Sequence, residues 1–289
     1  LSSARWSMVG WVWGLNLVSF CILNYSMHLI LKRQDCDVRT GLLFGVCAVT
    51  ALYGLVLPGL LDVSVKWLIL RSHTGQGTRV LCSMVYNQVS TLMVTLFAAL
   101  AALAWTNPTD TWRVPALCGA LLVVMAVGFV LVFHPATGPR ITRLFAKLLK
   151  PLPAVLRDKG LHMFEQLSIF QTLPWTFHAK VLLLNTLAIT VVGTLIFISA
   201  ARAAWIDVPV GVLVWQVTLI FLLGRLPISI ANLGVREVTL VGTLALYGVG
   251  APAALLMSMI IFSNKLVVAL IGLTYQIRWA LRPLSPSEG

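Results

Sequence analysis

Charge is scarce in this sequence. Asp and Glu number 9 and Lys and Arg 21 among 289 residues, so 10% of the chain is charged, whereas soluble globular domains carry about 25%. A water-soluble core is excluded. A large extramembrane enzyme domain is excluded too, because apolar runs of about 20 residues recur along nearly the whole chain. Catalytic and metal patterns are equally sparse. Cys21, Cys36, Cys47, Cys82 and Cys118 contain no C-x-x-C pair. All but Cys36 lie within apolar stretches, where a thiol acts as a small hydrophobe, so neither a disulfide framework nor a zinc site follows. His28, His73, His134, His162 and His178 stand singly, without H-E-x-x-H spacing, and read as ordinary interfacial or loop histidines. No Walker loop and no G-x-S-x-G element offers ATP-driven transport or serine hydrolysis. The expectation is therefore no cofactor, no metal, no catalytic residue and no enzymatic activity.

What the chain does have is apolar length. Hydrophobic residues make up 59% and the formal net charge is +12, with a mean hydropathy of +0.93. The basic residues are scattered in short loops instead of lining one soluble face, which argues for topology and against nucleic acid. Segments 8–31, 80–104, 114–134, 181–201 and 252–276 each suffice, at 1.5 Å per residue, for a hydrocarbon core about 30 Å thick. The first of them is too long for a signal-peptide apolar region and no small-residue cleavage site follows it, so it reads as a mature span.

Two further regions are apolar but broken by Pro and Gly, which end or kink helices. Residues 40–70 run to Leu57, turn at Pro58-Gly59 and continue through Asp62 and Lys66. Residues 208–249 run to Leu223, turn at Gly224-Arg225-Leu226-Pro227 and continue through Arg236 and Glu237. Loops 32–39, 71–79 and 135–180 hold most of the basic residues, and with Arg278 and Arg282 they are assigned to the cytoplasm. The loops near Trp6, Trp105, Trp112 and Trp205 are assigned to the outside, where indole rings suit the interfacial belt. By this parity residues 40–70 begin and end on the cytoplasmic side. Residues 208–249 begin and end outside, although their longer limbs leave a full crossing open. Re-entry is favoured for both.

The fold predicted is an all-α polytopic protein of the cytoplasmic (inner) membrane, with seven to eight membrane elements and a cytoplasmic C-terminus. Two Pro-broken re-entrant hairpins entering from opposite faces suggest an inverted repeat, whose broken helices meet near the midplane. Its parts would be a first transmembrane half, 1–134, with hairpin 40–70; a basic linker, 135–174; a second half, 175–278, with hairpin 208–249; and a disordered tail, 279–289. In the linker, Ile141, Leu144, Phe145, Leu148 and Leu149 recur opposite Arg140, Arg143, Lys147 and Lys150. That is the pattern of an interfacial helix on anionic lipid, or simply of a solvated basic linker. A homo-oligomer is left open.

The strongest local signal is Leu226-Pro227-Ile228-Ser229-Ile230-Ala231-Asn232-Leu233-Gly234-Val235-Arg236-Glu237. It resembles the P-I-S-x-x-x-x-G-x-R-E signature of the transmembrane, flippase-like region of the lysylphosphatidylglycerol synthase/flippase family. The stretch Leu57-Pro58-Gly59 through Asp62 and Lys66 resembles that family's first-half L-P-G…G-D-x-x-[RK] element more loosely: the Gly before the acid is missing, and the base follows after four residues instead of three. Asn87-Gln88 stands where an acid–Arg pair is expected. The resemblance implies translocation of an aminoacylated phospholipid or another lipid-linked headgroup. The aminoacyl-transfer domain of the synthases is absent from this sequence.

Physical chemistry marks the same positions independently. A charge at the bilayer centre costs at least about 2.5–3.5 kcal/mol and is retained where it is paired or faces a cavity. Arg225 or Arg236 could hold a lipid phosphate through a bidentate guanidinium, while Glu237 or Asp62 attracts a cationic headgroup or carries a proton. Ser229 and Asn232 could satisfy polar groups at the helix break. Lys265, near the middle of the last span, is a candidate cavity residue, Lys66 a candidate for binding or snorkelling, and Asn87 for substrate contact or helix–helix adhesion. The competing reading of Arg236-Glu237 is a structural clamp onto the opposite hairpin, each residue needing a further partner since adjacent helical residues diverge. An intramembrane transferase acting on a lipid carrier and a scaffold for a partner enzyme are the alternatives to a flippase.

Overall fold

The computed structural model describes residues 5–57, 61–106, 112–135, 137–140, 165–223 and 233–281, with the side chains of Leu61, Asp62 and Leu222 left aside. All regular structure among them is helical. Five helices are long and apolar enough to cross a membrane: α1 (Trp6–Arg33), α4 (Gly77–Thr106), α5 (Arg113–Phe133), α6 (Trp175–Ala203) and α9 (Ala251–Ala280). They are the five long spans predicted, each within a turn or two of its expected ends. The short elements are α2 (Thr40–Tyr53), α3 (Leu61–Thr74), α7 (Val210–Leu223) and α8 (Val235–Ala245). At 14, 14, 14 and 11 residues they reach about 21, 21, 21 and 16 Å, short of a 30 Å hydrocarbon layer. The chain is a multi-pass membrane protein. The tail and most of the basic linker, including 141–149, lie outside the described residues.

Span α6 departs from expectation at its start and in its middle. His178 and Lys180 interrupt the apolar run, so hydropathy alone begins the span at 181. The helix instead starts at Trp175, after an extended Pro174, because His178 is buried and its Nδ1 shares a hydrogen bond of 2.7 Å with Tyr86 Oη. Phe133, Phe170 and Phe177 pack around that pair. This histidine is therefore a core residue and not the interfacial one predicted. Residues Thr186–Val192 then widen into a π-helical segment, and Ser19 Oγ of α1 donates to Ala188 O there at 3.0 Å. Such widenings recur where functional sites interrupt α-helices.

Helix pairing follows a reciprocal pattern. α2 packs along α9 and α7 along α4; α1 packs against α6; α3 lies between α2 and α4, and α8 between α7 and α9. Glycine makes the α2–α9 contact close. A Cβ on Gly272 would fall 2.2 Å from Ala48 O and one on Gly45 would fall 2.4 Å from the Tyr275 ring, so small residues let these backbones approach as membrane helices commonly do. Gln216 Nε2 of α7 donates to Thr243 Oγ1 of α8 at 3.1 Å, tying these two short helices together.

Candidate polar site at the second hairpin

The site is built at the start of α8. Gly234 has φ +85°, a conformation that a side chain strains, and this turn aims the first residues of α8 at α9. Glu237, three residues on, closes the helix start: its Oε2 accepts the Gly234 N–H at 2.6 Å, satisfying one of the donors that every helix N-terminus leaves open. The carboxylate also lies at the positive end of the helix dipole.

Arg236 is 2% exposed. Its Nε donates to Ser258 Oγ of α9 at 2.7 Å, its Nη2 pairs directly with Glu237 Oε1, and its guanidinium carbon sits 5.1 Å from the centre of the Phe262 ring. Ser258 Oγ in turn donates to Glu237 Oε1 at 2.8 Å. The three side chains form a closed triangle between α8 and α9. One edge of the guanidinium is left over: Arg236 Nη1 is buried and has no hydrogen-bond partner among the described residues. A buried donor left unpaired is costly and rare in native structures. An anion placed there would satisfy it.

Among the described residues the contacts of Arg236 and Glu237 run to α9 and to the turn before α8; the side chain of Asp62, a partner in the competing clamp reading, lies outside them. Arg236 and Glu237 do meet each other, and each also finds the additional partner that their divergence on the helix requires. Ser258 was missed, because a lone Ser in an apolar helix is common helix–helix adhesive. The available signal was its register with Lys265, seven residues on and so on the same helix face about 10.5 Å away. Ser258 is fully buried while Lys265 is exposed.

The other expected site residues are less drawn together. Arg225, Ser229 and Asn232 lie outside the described residues. Asp62 is the second residue of α3, a position in the first turn that parallels Glu237 in α8. Lys66 is half-buried on α3. Beside it, Trp67 Nε1 donates to Gly77 O at 2.8 Å and carries Arg71 over its ring. Asn87 is half-buried on α4 with its Oδ1 unpaired, and none of the hydrogen bonds of the Arg236 triangle reaches it. A neighbouring polar group on α9, Asn264, also keeps a buried, unpaired Oδ1, while its backbone oxygen accepts from Asn16 Nδ2 of α1 at 3.3 Å.

No curated protein and no solved structure matches this chain. The family model described as the lysylphosphatidylglycerol synthase TM region matches residues 1–272, nearly the whole chain and both hairpins. The chain belongs to the lysylphosphatidylglycerol synthase transmembrane-region family.

Proposed function

We propose that this protein is a flippase: a transporter, not an enzyme, that moves a phospholipid or lipid-linked headgroup across the cytoplasmic membrane through a polar cavity framed by its two hairpins. The observation that carries the reading is the unpaired, buried Nη1 of Arg236. A guanidinium whose other nitrogens are already fixed is preorganised for a phosphate oxygen, and the low-dielectric surroundings strengthen the contact. Family membership supports a lipid as the cargo.

These contacts support a division of roles. Glu237 already accepts from Arg236, Ser258 and Gly234, so it is a positioning residue that offsets the Arg236 charge and sets its orientation. We assign the acid for a cationic headgroup or a coupling proton to Asp62 of the first-half element, on the sequence reading alone. Lys265, about two turns below Ser258 on the same face, supplies a second cation along the path of a phosphate.

Both hairpins are read as re-entrant, since their limbs are shorter than the hydrocarbon layer. The reciprocal pairing, α2 with α9 and α7 with α4, supports an inverted repeat in which α1, α2–α3 and α4 correspond to α6, α7–α8 and α9. In this arrangement the basic loops and the C-terminus face the cytoplasm. Reconstitution of the full chain into proteoliposomes with a headgroup-labelled anionic lipid tests the function. Movement that depends on the protein and is lost in Arg236→Gln is expected; equal rates with and without protein would refute it.

A further inference from the structure

A cavity lies away from the Arg236 triangle. It has a volume of about 860 Å³ and is walled by α4, α5, α6 and α7. Its lining is almost wholly apolar, Met93, Phe97 and Ala101 of α4 facing Phe129 of α5 and Leu182 of α6, with Trp175 at one end and Trp105 at the other. The α5 wall packs chiefly on α4 and turns Leu117, Val123, Val124 and Val127 away from the cavity.

The length of this groove follows from helix register. The Tyr86–His178 hydrogen bond sets the two residues level, and Gly211, at the start of α7, lies against Thr106 at the end of α4. The rise from Tyr86 to Trp105 is about 28 Å, and Trp175 lies about one turn beyond His178, so the groove is about 33 Å long. That equals the whole hydrocarbon thickness, roughly 30 Å, and not one leaflet of about half that. Over this length the cavity is narrower than a helix some 10 Å wide. A partner's transmembrane helix does not fit. A single extended hydrocarbon chain does.

We propose that this groove binds the tail of a polyisoprenoid lipid, laid across both leaflets between Trp105 and Trp175. A diacyl phospholipid brings two chains into one leaflet and would leave half of the groove unfilled. The inference extends the reading above from headgroup to tail, and it rests on that reading only in taking the bound chain to be that of the transported lipid. The tail would then stay in one continuous apolar track while the phosphate passes Arg236, which confines the polar part of the problem to the headgroup.

The full chain in proteoliposomes is photolabelled with two probes carrying a diazirine near the tail end, a long-chain polyprenyl phosphate and a phosphatidylglycerol, and the labelled residues are mapped by mass spectrometry. Polyprenyl label on Met93, Phe97 or Leu182 is expected, displaced by excess unlabelled polyprenyl phosphate and not by excess phospholipid. Ala101→Phe, which fills the groove, should cut that label about ten-fold, while Val123→Phe on the outer face of α5 leaves it unchanged. A polyprenol without phosphate should label the same residues in Arg236→Gln, which separates tail binding from headgroup binding. Equal labelling by phosphatidylglycerol, no label in the groove, or groove label as strong in Ala101→Phe as in Val123→Phe would overturn the proposal. Loss of transport in Arg236→Gln with no groove label would leave the headgroup site standing and the groove refuted.

Discussion

Arg236 and Ser258 are joined across α8 and α9 by a 2.7 Å hydrogen bond from Nε to Oγ. The same hydroxyl donates onward to Glu237, so one serine fixes both members of an ion pair. Ser258→Ala removes an acceptor and a donor from a buried charged network. It is expected to destabilise the protein by about 1–3 kcal/mol, read as a fall in the apparent Tm in detergent. Ser258→Thr keeps the hydroxyl and should recover most of that loss. An unchanged Tm in the alanine variant would mean that the triangle contributes nothing to holding α8 on α9.

The turn before α8 gives a backbone test. Gly234→Ala places a side chain at φ +85°, although nothing lies within 4 Å of the added Cβ. The expected loss, about 1 kcal/mol or more, is therefore conformational and not steric. Gly14→Ala, in the middle of α1 and equally uncrowded, should be neutral or stabilising, since Ala is the better helix former. Equal thermal shifts for the two variants would contradict the assigned backbone conformation.

Steric contact decides at Gly272. A Cβ there meets backbone atoms of α2, 2.2 Å from Ala48 O and 2.6 Å from its carbonyl carbon, and backbone cannot rotate away as a side chain can. Gly272→Ala is expected to cost about 1–3 kcal/mol and to loosen α2 from α9. Cysteine pairs placed across that interface report it directly: cross-linking should fall in the variant, and undiminished cross-linking would argue against the close approach.

These residues also show what the sequence could and could not disclose. The long spans were legible because length and apolarity are local properties that the bilayer itself demands. The start of α6 was not, since His178 looks polar in the sequence and becomes a core residue only when Tyr86, more than ninety positions earlier, supplies its partner. The π-helical segment likewise leaves no local signature, and its carbonyl at Ala188 is met by Ser19 from another helix. At the candidate site, Arg236 and Glu237 were visible as charges that the membrane tolerates only for a reason. Their partner Ser258 was not, because a serine's role depends on which helix packs beside it. Gly234 was present in the signature, and its positive φ supplies the physical reason for glycine there.

The central claim is that the unpaired Nη1 edge of the Arg236 guanidinium holds a lipid phosphate. Saturable binding of a phosphate lipid to the purified full chain, measured by native mass spectrometry against a neutral lipid with the same tail, tests it most directly. Wild-type protein should prefer the phosphate lipid. Arg236→Lys, which keeps the charge and loses the planar fork, should weaken that preference about ten-fold or more. The same preference in wild type, Arg236→Lys and Arg236→Gln would contradict the account.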